Sequence, residues 1–331
     1  MLRSRILGVG SYLPERVVTN HDFEQWMETT DEWIQQRSGI RERHFAAADQ
    51  ATSDLGLIAA QRALKAAGLT PESIDFIVFA TSTSDYLVPG SGCFLQHKLG
   101  IGPVGALDVR AQCSGFLYAL SVADLYVRAG EYDRVLVVGA EVQSAGLDLT
   151  TAGRDTAVLF ADGAGAVVLG VSDDPERGLL GHRLHADGRF ADALAIPSPG
   201  TVNRPFIGPE HLEQRRHRLQ MDGRLVFKNA VETMPAAVRE VAAHCGVQVS
   251  DLALVIPHQA NTRIIDALAG ALDLPTERVV NNIAYTGNTT AATIPIALDQ
   301  VVRDGRLKTG DLVALVAFGS GFTWAASLIR W

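Results

Sequence analysis

Short apolar runs alternate with amphipathic segments along almost the whole chain, which predicts strands and helices in turn. Residues 5–12 alternate weakly and end at Leu13-Pro14, a short strand entering a turn. Thr19-Asn20 can cap a helix over 22–27. Thr30-Asp31-Glu32 opens a second, with acidic residues in its first turn. Leu55, Ile58, Ala59, Ala63, Leu64 and Ala67 share one helical face, and Gly68 ends that helix. The run 74–80 is apolar throughout and predicts a strand buried on both faces. A polar loop over 81–89, a short helix over 94–99, a strand over 106–109, a helix over 115–127 and a strand over 135–139 follow. Residues 150–156 read as a loop, and 157–169 as two strands around Gly163-Ala164-Gly165. That turn lacks Gly-x-x-x-x-Gly-Lys, so it is assigned to close packing or a hairpin.

Residues 171–222 show the least regular pattern. A helix follows over 222–244, with Val226, Phe227, Ala230, Met234, Val238 and Val241 on its apolar side. Then come a strand over 252–256, a helix over 264–272, a loop over 281–290, an apolar helix over 291–302 and two final strands from Leu312 through Leu328.

The two halves follow one plan of helix, strand, short helix, strand, small-residue turn, long helix and strand. Cys113 precedes Gly130 by as many residues as Asn288 precedes Gly305, so the count pairs Cys113 with Asn288. His258 pairs with Thr81, each just past a buried strand. Such a duplication implies two similar halves, 1–174 and 175–331, packed about a pseudo-twofold axis. Ligands in such sheets bind beyond the carboxyl ends of the strands. Cys113, His258 and Asn288 should therefore converge.

Composition narrows the class. A 331-residue chain that is 47% hydrophobic can fill a large core. A net charge of −8 argues against a general nucleic-acid or membrane-surface binder, because both need a basic face. Three cysteines far apart, in no metal-ligand spacing, suit a reducing compartment. No signal peptide is read at the N-terminus, and no apolar run reaches the roughly 18 residues of a membrane span. The expectation is a soluble cytoplasmic protein.

Two stretches carry candidate chemistry. In Asp108-Val109-Arg110-Ala111-Gln112-Cys113-Ser114-Gly115 a strand turns into an apolar helix whose start carries a cysteine. Unpaired N–H groups and aligned peptide dipoles at a helix start favour thiolate, the nucleophilic form. A buried structural cysteine is the alternative. In Arg37-Ser38-Gly39-Ile40-Arg41-Glu42-Arg43-His44 basic residues cluster in an acidic protein. This is either a solvated surface loop or an anion site, with Trp33 as a stacking platform for a nucleotide ring.

The chain resembles the ketoacyl synthase III family of the thiolase superfamily. The resemblance is carried by Gly10-Ser11-Tyr12-Leu13-Pro14, Gly39-Ile40-Arg41-Glu42-Arg43-His44, Gln112-Cys113-Ser114-Gly115-Phe116, Asp162-Gly163-Ala164-Gly165-Ala166, Pro257-His258-Gln259-Ala260-Asn261, Gly287-Asn288-Thr289 and Phe318-Gly319-Ser320-Gly321-Phe322. It implies an α/β, thiolase-like duplicated αβαβα layered fold, and a Cys113, His258 and Asn288 site. Cys113 would take an acyl group from acyl-CoA. His258 and Asn288 would donate to the thioester oxygen of malonyl-carrier protein as it decarboxylates. The N–H groups of Cys113 and Ser320 would form a second oxyanion hole. The resemblance further implies that Trp33, Arg37 and Arg154 hold the coenzyme A nucleotide. Thr29, Phe227 and Asn261 would line the tunnel, with a core residue as the alternative for Phe227. Lys228 and Arg263 would dock carrier protein, and Val88 would reach the acyl pocket across a homodimer. No metal or redox cofactor is implied.

Several residues depart from the family pattern. Gln112 stands where the housekeeping enzymes have Ala, and Arg110 through Gly115 looks like relatives that make alkylquinolone signals. Ser320 replaces a Gly, Tyr285-Thr286 an Arg-containing pair, Gly270-Ala271 a basic pair, and Val88 a Phe, whose loss could admit longer chains. Two further readings therefore stand beside the first: a relative that delivers the acyl group to a non-malonyl acceptor, and a silent acyl-CoA-binding protein.

Overall fold

The computed structural model describes residues 3–331. The first half starts with β1 (Ser4–Tyr12) and continues through an arm of β2 (Arg16–Thr19), α1 (Asn20–Trp26), α2 (Asp31–Ser38) and β3 (Glu42–Phe45). It then alternates: α3 (Thr52–Ala67), β4 (Phe76–Ala80), α4 (Ser91–Lys98), β5 (Gly105–Val109), α5 (Gly115–Ala129), β6 (Arg134–Glu141), the single turn α6 (Arg154–Ala157) and β7 (Gly163–Val171). The second half runs β8 (Gly178–Ala186), β9 (Leu194–Ala195), α7 (Pro209–Glu213), β10 (Gln220–Met221), α8 (Gly223–His244), β11 (Leu252–Pro257), α9 (Thr262–Leu272), α10 (Ile283–Thr286), α11 (Thr293–Arg303), β12 (Leu312–Gly319) and β13 (Thr323–Arg330).

Two large sheets result, ordered β1-β7-β6-β4-β5 and β11-β12-β13-β8, beside the two-stranded pairs β2-β3 and β10-β9. Reversing the second order superimposes the plans. β4 pairs in parallel with β6, as β11 does with β12; β6 pairs antiparallel with β7, as β12 does with β13; β1 closes on β7 as β8 does on β13. Even the parallel β4–β5 pair has a remnant, the bridge between Val255 and Val279.

Side-chain alternation along the strands builds the layers. On β4, Ile77 and Phe79 join an outer cluster with Leu55, Ala59, Ala63 and Leu64 of α3. Val78 and Ala80 face the other way, into a central cluster with α5 and α11. The second sheet reaches that cluster through Leu254, Ile256, Val313 and Leu315. Val255, Ala314 and Val316 pack outward against α8 and α9. The layers are thus helix, sheet, helix, sheet, helix, with α5 and α11 enclosed between the sheets. Each large apolar side chain buried this way contributes about 1.5–3 kcal/mol.

Three expectations change. Residues 157–169 form no hairpin: α6 ends at Ala157 and a single strand, β7, begins at Gly163. The glycines serve close packing, since a Cβ on Gly165 would sit 2.6 Å from Pro295 Cβ on α11. Residues 171–222 contain the nine-residue strand β8, hidden in the sequence because it is an edge strand with His182, Arg183 and His185 along it. The count pairing Cys113 with Asn288 fails at the helix starts, because α5 has 15 residues and α11 has 11. The counterpart of Cys113 is Ala291. Cys113 lies against Gly319 at the end of β12, and Ala291 lies against Gly139 in β6, the matching strand.

Candidate active site

Cys113 sits in the 3₁₀ turn Gln112–Ser114 between β5 and α5. Gln112 takes a left-handed φ of 45°, which swings the next residue off the strand line. A Cβ on Gly319 would fall 2.6 Å from Cys113 Cβ, so only glycine admits the cysteine there. The N–H groups of Cys113 and Ser320 face the sulfur and lower its pKa. Ser320 keeps a negative φ, and its hydroxyl turns away to the Leu194 carbonyl. Its N–H therefore serves as a glycine's would.

The helix start does not leave a thiolate. Burial, and then the charge of Glu141, push the Cys113 thiol up to about 12 against those two N–H groups. The sulfur rests as thiol, and its proton must leave as the sulfur attacks.

His258 follows the last residue of β11, and its N–H bonds Val316 of β12 at 2.8 Å. Its ring is buried and its Nδ1 lies 2.7 Å from the Thr293 hydroxyl at the start of α11. Burial pushes its pKa down to about 3, so the imidazole is neutral at neutral pH. Asn288 is held by its backbone to the other half: its N–H bonds Leu159 and its carbonyl accepts from Ala161, both at 3.0 Å. Its Oδ1 accepts from the N–H of Thr290 at 2.9 Å, which leaves Nδ2 as the amide's outward donor. The turns Gln112–Ser114 and Thr290–Ala292 touch, Gly115 facing Ala291. Cys113, Ser320, His258 and Asn288 thus share one junction at the carboxyl ends of the strands.

Glu141, which the sequence reading passed over, lies beside that junction. It is buried and accepts from Ser82 N–H at 3.0 Å, the hydroxyls of Ser82 and Thr83 at 2.9 and 2.5 Å, and Ala291 N–H at 3.5 Å. Among the described residues no cation pairs with it, and burial raises its pKa to about 7. The signal was a carboxylate closing the apolar run 135–140.

The basic cluster divides. Arg43 is fully buried, its guanidinium 4.5 Å from the Phe23 ring centroid and bonded to Asn20 Oδ1 and the Val158 carbonyl, each at 2.7 Å. It braces the segment that holds Asn288 and belongs to neither a solvated loop nor an anion site. Arg37 is exposed at 5.4 Å from the Trp33 ring, and Arg154 flanks that ring at 4.7 Å. Asn261 joins them: its Nδ2 donates to the Arg37 carbonyl at 2.6 Å while its Oδ1 caps α9. Thr29 has a buried hydroxyl with no partner. Phe227 is half-buried against the outer core under Arg263, 5.5 Å away, and Lys228 is exposed next to it. Val88 is 82% exposed at a loop tip with Tyr86 and Leu87. A cavity of about 260 Å³ lies between residues 146–156 and 214–220, with none of Cys113, His258 or Asn288 in its lining.

No helix among the described residues is long and apolar enough to cross a membrane, and no group of three or more His, Cys, Asp or Glu is placed to hold a metal ion.

A cysteine on a glycine-backed helix start, set between two copies of one layout, defines an acyl-transferring enzyme of the thiolase-like fold. Family models described as 3-oxoacyl-[acyl-carrier-protein (ACP)] synthase III and its C-terminal part match residues 107–188 and 242–331. The beta-ketoacyl-[acyl-carrier-protein] synthase III of Methylococcus capsulatus is 47% identical over 328 residues, covering 99% of both chains. That of Xanthomonas campestris pv. campestris is 49% identical over 328 residues, covering 99% of this chain and 98% of its own. The crystal structure of the 3-oxoacyl-[acyl-carrier-protein] synthase III from Aquifex aeolicus superimposes with a TM-score of 0.91 at 41% identity, over 99% of this chain and 100% of that one. The chain belongs to the beta-ketoacyl-[acyl-carrier-protein] synthase III family.

Proposed function

We infer that this protein condenses an acyl group from acyl-CoA with malonyl-carrier protein, the step that initiates fatty acid synthesis. The observation that carries the reading is the Cys113 sulfur facing the N–H groups of Cys113 and Ser320 at the junction with His258 and Asn288. In the first stage the sulfur attacks the thioester carbonyl. The carbonyl oxygen gathers charge beside the two N–H groups. The Cys113 proton passes to the departing coenzyme A sulfur, leaving acyl-cysteine and free thiol. In the second stage the malonyl group loses carbon dioxide, and the electron pair flows onto its thioester oxygen. Neutral His258 and the Asn288 amide donate to that oxygen. The carbanion carbon then bonds the acyl carbon, and Cys113 leaves as thiolate to be reprotonated.

Trp33 with Arg37 and Arg154 supplies a flat face and forked donors suited to an adenine nucleotide. Thr29, Phe227 and Asn261 line the approach, and Lys228 and Arg263 offer positive charge to an acidic carrier protein. Val88 reaches the site of a second copy in a homodimer. The halves divide at 174/175, the chemistry calls on no metal or redox cofactor, and the protein works in the cytoplasm.

Intact mass after incubation with acyl-CoA of graded length tests the first stage. An acyl adduct is expected on the wild type and none on Cys113→Ala; an adduct that persists in Cys113→Ala overturns the reading. One observation favours a second reading, delivery to a non-malonyl acceptor. Gln112 directly precedes Cys113 in the same turn and makes no side-chain hydrogen bond among the described residues, so its amide is free to take a polar group of an acceptor. The acylated enzyme should consume malonyl-carrier protein in preference to malonyl-CoA, and use of neither selects the second reading.

A further inference from the structure

His258 can stabilise an oxyanion only through a ring N–H that faces the substrate. A neutral imidazole carries one proton, and its other nitrogen accepts. The nitrogen that carries it is set by the partner of the other one. Nδ1 has a single partner, the Thr293 hydroxyl at 2.7 Å, in a buried site. That hydroxyl has one proton and two acceptors in reach, His258 Nδ1 and the Thr290 carbonyl at 3.0 Å.

The competition is unequal. The Thr290 carbonyl already accepts the backbone N–H of Thr293, which closes the 3₁₀ turn Thr290–Ala292. It is satisfied without the hydroxyl. Nδ1 has nothing else. If the hydroxyl donates to the carbonyl, Nδ1 must carry the ring proton, and Nε2 is left a bare acceptor against a developing anion. If it donates to Nδ1, both acceptors are satisfied and the ring proton sits on Nε2. Backbone structure anchors both partners: Thr293 begins α11, and the His258 N–H is bonded to Val316 at 2.8 Å.

We propose that Thr293 is a positioning residue that donates to Nδ1 of His258 and thereby holds the ring proton on Nε2, making His258 a donor to the thioester oxygen of the malonyl group. The inference rests on the reading of His258 as an oxyanion donor. It assigns the decarboxylation stage, and not the loading of Cys113, to the Thr293–His258 pair. The neutral ring that a pKa of about 3 implies is consistent with this assignment.

The test uses full-length protein with Thr293→Val, which keeps the branched shape and removes the hydroxyl, and Thr293→Ser, which keeps the hydroxyl. Acylation of Cys113 by acyl-CoA and decarboxylation of malonyl-carrier protein are timed separately. Thr293→Val should slow decarboxylation about 100-fold, the low end of what losing an oxyanion-hole donor costs, and change acylation less than about 3-fold. Thr293→Ser should restore most of the loss. ¹⁵N resonances of the His258 ring should show the Nε2–H tautomer in wild type and Ser variant. An Nδ1–H tautomer in the wild type overturns the proposal, as does an equal loss in both stages that Ser does not rescue. Should the Val variant not fold, the wild-type tautomer and the Ser variant still decide. His258→Ala separates the two levels: unchanged decarboxylation there overturns the donor reading itself, whereas a large loss there with none in Thr293→Val overturns only the role of Thr293.

Discussion

The turn at Cys113 and the turn at Ala291 are one structure used twice, for different ends. Each is a single 3₁₀ turn opened by a non-glycine residue with left-handed φ, Gln112 at 45° and Thr290 at 50°. Each leads into an enclosed helix, and each rests on a glycine of the sheet opposite, Gly319 or Gly139. They differ in what meets the backbone N–H. At Ala291 the N–H is taken by the Glu141 carboxylate at 3.5 Å. At Cys113 it faces the sulfur, joined by the N–H of Ser320. A helix start is an anion site by construction. One copy fills it with a carboxylate of the chain, and the other presents it, with a nucleophile in place, to a substrate oxygen. Catalytic capacity thus lies in the residues set on a shared scaffold.

The two supporting glycines give the strongest way to break this contrast. A methyl at Gly319 meets the Cys113 side chain, whereas one at Gly139 meets the Ala291 carbonyl at 2.6 Å. Gly319→Ala should cut the rate of Cys113 acylation on the order of 100-fold by displacing the sulfur from its donors. Gly139→Ala should chiefly cost stability, about 1–3 kcal/mol, with acylation down less than about 10-fold. Single-turnover acylation and denaturant titration of both variants read the two effects. Equal losses of rate in both would mean that the turns are not functionally distinct.

The scaffold was legible in the sequence wherever burial was two-sided or strongly periodic. The runs that became β4, β6, β11 and β12 are apolar because they lie between helix layers, and α3, α8 and α9 show clear faces. The edge strand β8 was missed because one-sided solvent contact breaks its apolar run with Arg183, His182 and His185. Cys113 and His258 could be picked out from their places at a helix start and a strand end. Asn288 was also picked out, but on a count that the unequal lengths of α5 and α11 invalidate; it lies three residues before the true counterpart of Cys113. Two features lay beyond any local pattern. Arg43 looks like its exposed neighbours Arg37 and Arg41 in sequence, and only tertiary packing sets it against Phe23. The thiol pKa depends on burial and on Glu141, neither visible in the residues around Cys113.

Glu141 offers a second, pH-resolved comparison. Its folded pKa is about 7 against an ordinary carboxyl near 4.5. The folded state therefore binds this proton more tightly than the unfolded chain. The stability linked to it is fully present below about pH 4.5 and is lost as pH rises through 7, on the order of 3 kcal/mol in all. Glu141→Gln should remove that slope, because Oε1 still takes the N–H groups of Ser82 and Ala291 while the hydroxyls of Ser82 and Thr83 can turn to accept from the new amide. The same change removes the charge that raises the Cys113 thiol. Acylation in Glu141→Gln should thus rise a few-fold over wild type at pH 8 and match it near pH 6. Unchanged pH dependence of unfolding, or a rate gain that is equal at both pH values, would count against an ionised Glu141 at the second turn.

The smallest expected effect separates the residues that open the two turns. A left-handed conformation costs a side-chain-bearing residue about 1–2 kcal/mol, and glycine relieves it while adding roughly 0.5–1 kcal/mol of chain entropy to the unfolded state. At Gln112 no side-chain hydrogen bond is lost among the described residues. Gln112→Gly should therefore stabilise the fold by about 0.5 kcal/mol. At Thr290 the hydroxyl accepts from Gln143 Nε2 at 2.8 Å, so glycine also forfeits a hydrogen bond worth about 1 kcal/mol. Thr290→Gly should be neutral or slightly destabilising. Denaturant midpoints of the two variants, measured side by side, resolve the difference. A stabilised Thr290→Gly would show that the Gln143 bond adds nothing to the closed turn, whereas a destabilised Gln112→Gly would show that the Gln112 side chain contributes contacts in solution.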